Sequence, residues 1–149
     1  MFDAATSRGA FPAVCLFAIA AVSGAPVPAS GNDAKPSIAV KSSSAMGFAP
    51  FRVVLTADVK GGADDYEEYY CATVEWDLGD GTKAEQQLDC EPYEPGKSQI
   101  KRRFVREQVF NSPGEFRVVF RLKQKNRTVG SGNTTIRVRP GIRDMGEIR

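Results

Sequence analysis

The stretch VEWDLGDGT, residues 74–82, decides the fold because it joins a strand pattern to a turn signal. Its first residues alternate apolar and polar side chains, which is the period of a β-strand with one buried face. Trp76 shares its phase with Val74 and Leu78, so these three side chains are predicted to point to the same side. We therefore predict that the Trp76 indole is a packing anchor in a hydrophobic core.

The second half of this stretch predicts a chain reversal. Asp80 and Gly81 form a dipeptide typical of a two-residue β-hairpin, because glycine tolerates positive φ and aspartate accepts hydrogen bonds from nearby backbone N–H groups. Gly79 is expected to let the chain leave the strand sharply, and Asp77 to hold the turn through its carboxylate. The alternative is a hydrolase that uses Glu75, Asp77 or Asp80, but a tight hairpin offers neither a pocket nor a partner that shifts a pKa.

Period-two alternation recurs along the chain and predicts an all-β protein. It is present at residues 38–40, 51–59, 116–123 and 135–139, whereas QIKRRFVREQVF at 99–110 fits either a strand or a helical turn. Short strands separated by Gly, Pro and Asp are typical of a β-sandwich, in which two sheets bury their apolar faces against each other. The predicted inward-facing residues are Phe51, Leu55, Trp76, Phe116, Phe120 and Ile136.

WDLGDGT resembles the WDFGDGT signature of PKD domains, with Leu78 in place of the usual Phe. VFNSPGEFRVVFRL at 109–122 is similar to the run that opens a late strand of these domains, and TTIRV at 134–138 resembles their closing strand. The resemblance covers residues 36–140 and implies an immunoglobulin-like β-sandwich of about seven strands. It also implies an extracellular, non-catalytic role in contact with proteins or carbohydrates. The positions that carry the resemblance are Trp76, Asp77, Gly79, Asp80, Gly81, Pro113, Gly114 and Phe116.

The first 24 residues are predicted to be a signal peptide. The apolar run AVCLFAIAAV at 13–22 is followed by small residues, a pattern typical of an export signal. The run is shorter than the roughly 20 apolar residues that span a membrane, and an uncleaved anchor and a cytosolic tail are the alternatives. We expect a linker at 25–35, the PKD-like domain at 36–140 and a C-terminal tail at 141–149. The mature chain is then secreted or held in the cell envelope, without a membrane span.

The cysteines agree with export. Cys15 would leave with the signal peptide, which leaves Cys71 and Cys90 as an even pair in an oxidising compartment. A disulfide between them would close a loop of about 20 residues and stabilise the fold by roughly 3 kcal/mol. We interpret it as a local staple that holds residues 88–98 against the strand of Trp76, and two free buried thiols are the alternative.

Histidine is absent from the sequence, which excludes Ser-His-Asp and Cys-His catalysis. The net charge of +2 hides a division, because residues 58–94 carry a net charge of −10 and residues 95–149 one of +10. Mutual compensation on solvated faces is one interpretation. The other is a basic sheet face that meets an acidic polysaccharide, a phosphate-rich envelope or an acidic protein of the cell exterior, with nucleic acid disfavoured. The residues of this predicted face are Lys101, Arg103, Arg117, Arg121, Arg137 and Arg139.

The acidic loop GGADDYEEYYC, residues 61–71, offers two further hypotheses. Its carboxylates could bind Ca²⁺ and stabilise a carbohydrate-binding accessory module, although the spacing is not that of an EF-hand and a solvated loop is the alternative. These carboxylates are Asp64, Asp65, Glu67 and Glu68. Nearby tyrosines suit contact with protein or sugar, or could instead cover the disulfide. The tyrosines are Tyr66, Tyr69, Tyr70 and Tyr93. We expect no other cofactor, and the oligomeric state stays open.

Overall fold

The structure, a computed structural model, describes residues 34–141. The predicted signal peptide and nearly all of the predicted linker and tail therefore lie outside the described residues. Within residues 34–141, no helix combines the length and apolar character needed to cross a bilayer.

The described part of the chain is built from strands, because its apolar residues recur with period two and Gly, Asn or Pro interrupts them. One short 3-10 helix, Glu67–Tyr69, lies in the acidic loop. The strands are β1 (Ser37–Ser42), β2 (Met46–Phe48), β3 (Phe51–Lys60), β4 (Thr73–Asp77), β5 (Lys83–Gln86), β6 (Arg103–Phe110), β7 (Gly114–Gln124) and β8 (Arg127–Arg139).

These strands form two sheets packed face to face. The three-stranded sheet has the order β1-β3-β6, and the five-stranded sheet has the order β2-β8-β7-β4-β5. Pairing is antiparallel throughout, except that β2 runs parallel to β8. This arrangement confirms the prediction of an all-β, immunoglobulin-like sandwich.

The core lies between the two sheets, and Trp76 is part of it. Its side chain is 5% exposed, and its ring centroid lies 4.8 Å from that of Phe120 in an edge-to-face contact. Leu55, Phe120 and Ile136 are each fully buried, whereas Phe116 packs against the core from its margin, as Phe51 does. At about 1.5–3 kcal/mol for each buried large side chain, this set is sufficient to drive folding of a small domain.

Three details of the fold differ from the sequence predictions. The two short strands β2 and β5 were not predicted, because three or four residues are too few to show a period. The ambiguous residues 99–110 resolve into a loop followed by β6, without a helical turn. The loop of the WDLGDGT motif contains five residues, 78–82, instead of two, because β4 ends at Asp77 and β5 begins at Lys83. The backbone N–H of Leu78 donates to the carbonyl oxygen of Thr82 at 3.0 Å and closes this loop.

The sandwich has two distinct ends. The turn end carries the loop at 78–82, and the tyrosine end carries the loops at 61–72 and 87–102 together with the β7–β8 turn. Strand β1 starts at the tyrosine end, where Ser37 pairs with Lys60, and β8 finishes at the turn end, where Arg139 pairs with Phe48.

Candidate functional site

The WDLGDGT motif forms a hydrogen-bonded turn. The backbone N–H of Gly79 donates to Oδ1 of Asp77 at 3.3 Å, and the N–H of Thr82 donates to Oδ1 of Asp80 at 2.8 Å. Gly79 has a φ of 74°, and a Cβ at this position would lie 2.7 Å from the carbonyl oxygen of Arg117. Both aspartates therefore accept hydrogen bonds from the backbone of the turn, and Gly79 allows β7 to approach closely.

The carboxylates of β4 form ion pairs with the neighbouring strand β7. Glu75 accepts hydrogen bonds from Lys123 Nζ at 2.8 Å and from Arg121 Nη1 at 2.7 Å, and Asp77 lies 3.4 Å from the same Arg121 nitrogen. The hydrogen bond from Lys123, followed by that from Arg121, lowers the pKa of Glu75. A carboxyl group with a lowered pKa is a poor general acid at neutral pH, so this cluster gives the hydrolase hypothesis no support.

The structure separates the six residues of the predicted basic face. Arg117, Arg121, Arg137 and Arg139 share the outer face of the five-stranded sheet, because they occupy one phase of β7 and β8. Arg103 lies on β6 in the other sheet, where it pairs with Asp58 at 2.8 Å, and Lys101 precedes β6 with its Nζ 5.3 Å from the ring centroid of Phe104.

Acidic partners compensate part of this face. Arg121 binds the carboxylates of Glu75 and Asp77, and Arg137 binds Glu115 at 2.9 Å. Arg117 and Arg139 form no ion pair with the described residues. The outer face of the five-stranded sheet therefore carries ion pairs along β4, β7 and β8. Near its turn end it also carries Arg117 and Arg139, whose charges no ion pair with the described residues balances.

The acidic loop is organised around Arg102. This guanidinium donates to Oδ1 of Asp64 at 2.7 Å and to the carbonyl oxygen of Gly61 at 3.0 Å. Asp65 Oδ2 accepts from the N–H of Gly96 at 2.8 Å, and Glu68 accepts from Arg127 at 2.9 Å. Across residues 34–141, no three carboxylates or other metal-ligating side chains converge on one point. The four predicted calcium ligands are thus not brought together, and the geometry lends the calcium hypothesis no support.

A disulfide between Cys71 and Cys90 confirms the predicted pairing, with the two Cα atoms 5.9 Å apart. It joins the residue that follows Tyr70 to the loop between β5 and β6. Because Tyr93 is three residues beyond Cys90, the bond brings two segments that each carry a tyrosine to the same place.

Hydrogen bonds between loops fix the tyrosine rings. Tyr70 Oη donates to the carbonyl oxygen of Glu91 at 2.8 Å, and Tyr93 Oη donates to that of Asp65 at 2.7 Å. The two ring centroids are 5.4 Å apart, with the planes tilted by 56°. Burial, with smaller contributions from Asp65 and Glu67, raises the pKa of Tyr93, so its hydroxyl remains a donor at neutral pH.

Tyr69 has a different role from these two residues. Its ring is 5% exposed, and its hydroxyl donates to the carbonyl oxygen of Pro36 at 2.9 Å, beside the start of β1. Tyr66 packs against it edge to face at 5.2 Å between ring centroids. Burial, followed by Tyr66 and Glu68, raises the pKa of Tyr69. Of the four predicted tyrosines, Tyr69 is therefore structural.

The β7–β8 turn completes the site. Lys125 and Asn126 have φ values of 47° and 67°, which form a two-residue hairpin loop between the paired residues Gln124 and Arg127. Gln124 Nε2 donates to the carbonyl oxygen of Tyr70 at 2.8 Å, which ties this hairpin to the tyrosine loop. Lys125 is exposed and forms no ion pair with the described residues.

Together these segments line an open groove of about 570 Å³, which we call the tyrosine groove. Two rings, two carboxylates, a carboxamide and two cations face it, a mixture that combines apolar surface with hydrogen-bonding groups. The sequence predictions included the tyrosines and the carboxylates but missed the contribution of β7 and β8. The residues lining the groove are Glu67, Glu68, Tyr70, Tyr93, Gln124, Lys125 and Arg127.

No protein-family model and no curated protein matches the sequence. Among solved structures, the chain is similar to the PKD domain of an M14-like peptidase from a Thermoplasmatales archaeon, with 14% identity, a TM-score of 0.48, and coverage of 73% of this chain and 99% of that one. It is also similar to the CARDB domain of a Pyrococcus furiosus protein solved in complex with di-metal ions, with 12% identity, a TM-score of 0.44, and coverage of 70% and 88%. A superoxide reductase (neelaredoxin) from Ignicoccus hospitalis matches at 10% identity and a TM-score of 0.38, with coverage of 72% and 83%. The first of these structures belongs to the family that the WDLGDGT motif resembles, and the fold assignment itself rests on the strand order and registers of this chain.

Proposed function

We propose that this chain is an exported, non-catalytic interaction module of the PKD type that binds a carbohydrate of the cell exterior or envelope through the tyrosine groove. The observation that carries the proposal is the pair of fixed rings, Tyr70 and Tyr93, facing an open groove whose other walls carry polar and charged groups. The export part of the proposal is supported by the Cys71–Cys90 disulfide, because such bonds persist in oxidising compartments.

The rigidity of the groove favours binding. Each ring is anchored through its hydroxyl to a backbone carbonyl of another loop, and the disulfide joins these loops covalently. A ligand therefore does not have to order the rings, which removes a cost of roughly 0.5–1.5 kcal/mol for each immobilised side chain. Because the hydroxyls of Tyr70 and Tyr93 already have partners, the rings are left to offer mainly their apolar surfaces.

The chemistry of the groove suits a sugar. The apolar C–H face of a pyranose ring can lie against an aromatic ring, while its hydroxyls need both donors and acceptors around its rim. Glu67 supplies acceptors, and Lys125 supplies donors and a positive charge that would favour an acidic sugar. A protein partner of ordinary affinity would need about 800 Å² of contact on each side, which extends well beyond this groove.

The decisive experiment compares two substitutions at one position. Tyr93→Ala removes the ring, whereas Tyr93→Phe removes only the hydroxyl that donates to Asp65. We expect Tyr93→Ala to weaken binding to an envelope polysaccharide about tenfold, and Tyr93→Phe to change it less than about threefold. Binding would be measured on a glycan array and then by calorimetry with the selected oligosaccharide.

Thermal unfolding of each variant would show that the fold is retained. If no glycan binds while a protein of the cell exterior does, in a manner sensitive to Tyr93→Ala, then the partner is a protein and the carbohydrate part of the proposal is wrong. Equal glycan binding by the unmodified chain and Tyr93→Ala would remove the groove from the proposal altogether.

A further inference from the structure

Strand β6 is an open edge of the three-stranded sheet. It pairs with β3 on one side, and no strand among residues 34–141 pairs with its other side. Just before β6 begins, the carbonyl oxygen of Arg102 accepts a hydrogen bond from the N–H of Val59 on β3 at 2.8 Å. Because hydrogen-bonded residues alternate along an antiparallel ladder, the odd-numbered residues of β6 direct their N–H and C=O groups away from β3. On the other side of β3, the N–H of Ser43 donates to the carbonyl oxygen of Val54. The even-numbered residues of β3 therefore bond toward β1 and its odd-numbered residues toward β6, which agrees with the assignment for β6.

The side chains of these odd-numbered residues lie on the outer face of the sheet in a self-complementary order. Val105 is 61% exposed, and Arg103 and Glu107 flank it symmetrically with opposite charges. Val54, on the neighbouring strand, is 40% exposed. An exposed apolar residue on an unpaired edge is a common starting point for strand pairing between chains.

We propose that β6 pairs antiparallel with β6 of a second copy of this chain, with Val105 on the two-fold axis. This register sets the outward N–H and C=O groups of the two edges opposite each other. It also places Arg103 opposite Glu107 of the second copy, and Glu107 opposite Arg103 of the second copy. The two three-stranded sheets then become one continuous sheet of six strands.

Charge complementarity favours this register over those with Arg106 or Glu107 on the axis. With Glu107 on the axis, two carboxylates would face each other, and with Arg106 on the axis, two guanidinium groups would do so. Like charges in directly opposed positions destabilise a pair of strands. In the proposed register the contacts extend existing pairs, because Arg103 already binds Asp58 and Glu107 already binds Arg52 within one chain.

The inward-facing residues support the same choice. Arg106 points between the sheets, and its Nε is buried without a hydrogen-bond partner among the described residues. A charged side chain that points inward from an edge strand normally opposes pairing. A favourable register must therefore keep Arg106 of one copy from lying opposite Arg106 of the other. With Val105 on the axis, Arg106 lies next to Phe104 of the second copy, where a guanidinium can interact favourably with an aromatic ring.

The contact is limited to one edge strand on each copy, so the expected dimer is weak and depends on concentration. Interfaces of this size lie at the low end of specific complexes, and we expect a dissociation constant of roughly 10 µM to 1 mM. Sedimentation velocity of the purified full chain over that range would measure it. Sedimentation as a monomer up to about 1 mM would overturn the proposal.

A charge exchange tests the register. Glu107→Arg sets a positive charge at position 107 of each copy opposite Arg103 of the other copy. We expect this repulsion to weaken association at least tenfold. Adding Arg103→Glu in the same chain restores complementarity, and we expect the double variant to recover most of the lost association. Arg137→Glu, which reverses an exposed charge on the other sheet, is the matched control and should leave association unchanged.

Melting curves would verify that each variant folds, since the substituted side chains, Arg103 and Glu107, are both exposed and an ion pair of an exposed side chain contributes at most about 1 kcal/mol to stability. A dimer that is insensitive to Glu107→Arg, or a double variant no better than the single one, would overturn the proposal. Because Tyr93 lies at the tyrosine end and outside β6, failure of this experiment leaves the proposed function standing, and the reverse also holds.

Discussion

The two ends of the sandwich are held by different means. At the turn end, the loop at 78–82 is fixed by side chains and glycines within a few residues of one another, as in the contact of Asp80 with Thr82. At the tyrosine end, the contacts that hold the rings of the groove join segments that are far apart in the chain, such as Tyr93 with Asp65 or Gln124 with Tyr70. The first kind of order is encoded locally, and the second exists only once the whole sandwich has formed.

The disulfide should give the largest effect and should separate the two ends most clearly. Replacing both Cys71 and Cys90 by serine releases a loop that the bond closes over 19 residues of separation. We expect the free energy of unfolding to fall by about 3 kcal/mol, mainly because the unfolded chain gains conformational freedom. Urea unfolding of the double variant measures this change, and glycan binding should be lost with it.

Reduction of the unmodified chain with dithiothreitol is the matched control, and it should reproduce the loss of stability in the double variant. If the unmodified chain is equally stable with and without reductant, the two ends do not differ in the way described.

A pair of glycines tests the turn end with a smaller expected effect. Gly79 and Gly81 both have positive φ, 74° and 89°, but only at Gly79 would a Cβ meet another strand, at Arg117. We expect Gly79→Ala to cost about 2–3 kcal/mol, from backbone strain and from displacement of β7, and Gly81→Ala about 1 kcal/mol from strain alone. Both values can be measured by urea unfolding.

Equal losses at the two glycines would show that the close approach of β7 contributes nothing. Neither substitution should alter glycan binding in the folded protein, since both positions lie at the end opposite the tyrosine groove.

Glu75, which lies between the two ends on β4, should give the smallest effect. Its pKa is lowered in the folded protein, first by Lys123 and then by Arg121, so the folded state binds fewer protons than the unfolded state near the ordinary pKa of glutamate. The stabilisation is therefore complete above about pH 4.3 and is lost as the pH falls through the lower folded-state pKa.

Unfolding by urea at pH 7 and at pH 3 should show this loss, and Glu75→Gln should make it smaller. Glu115→Gln is the matched control, because Glu115 forms a more exposed pair with Arg137 and should change the pH dependence less. An unchanged acid response in Glu75→Gln would contradict the assignment of this ion pair as a stabilising one.

The same contrast between local and distant contacts explains what the sequence could predict. Strands with one buried face, such as β3 and β7, are visible because their alternation is long, and the core role of Trp76 follows from its phase alone. The length of the loop at 78–82 was underestimated because a Gly-containing turn signal also occurs in hairpin loops of three to five residues.

The tyrosine groove could be predicted only in part. The tyrosines and carboxylates of its walls are clustered in the sequence, but Lys125 and Arg127 reach them through the pairing of β7 with β4. A local signal for the hairpin was present, since Asn126 follows Lys125 between two alternating runs, and asparagine is favoured where φ is positive. Its position beside Tyr70 depends on the strand order, which no local pattern encodes.

The opposite positions of the start of β1 and the end of β8 have a geometric consequence. Residues 35 and 36 contact Glu68 and Tyr69 next to the groove, while Arg139 leaves the sandwich at the far pole. A tether attached ahead of β1 would turn the groove toward the surface that holds it, whereas one attached after β8 would present the groove outward. The site of attachment would therefore decide whether the groove faces the surface that carries the protein or faces away from it.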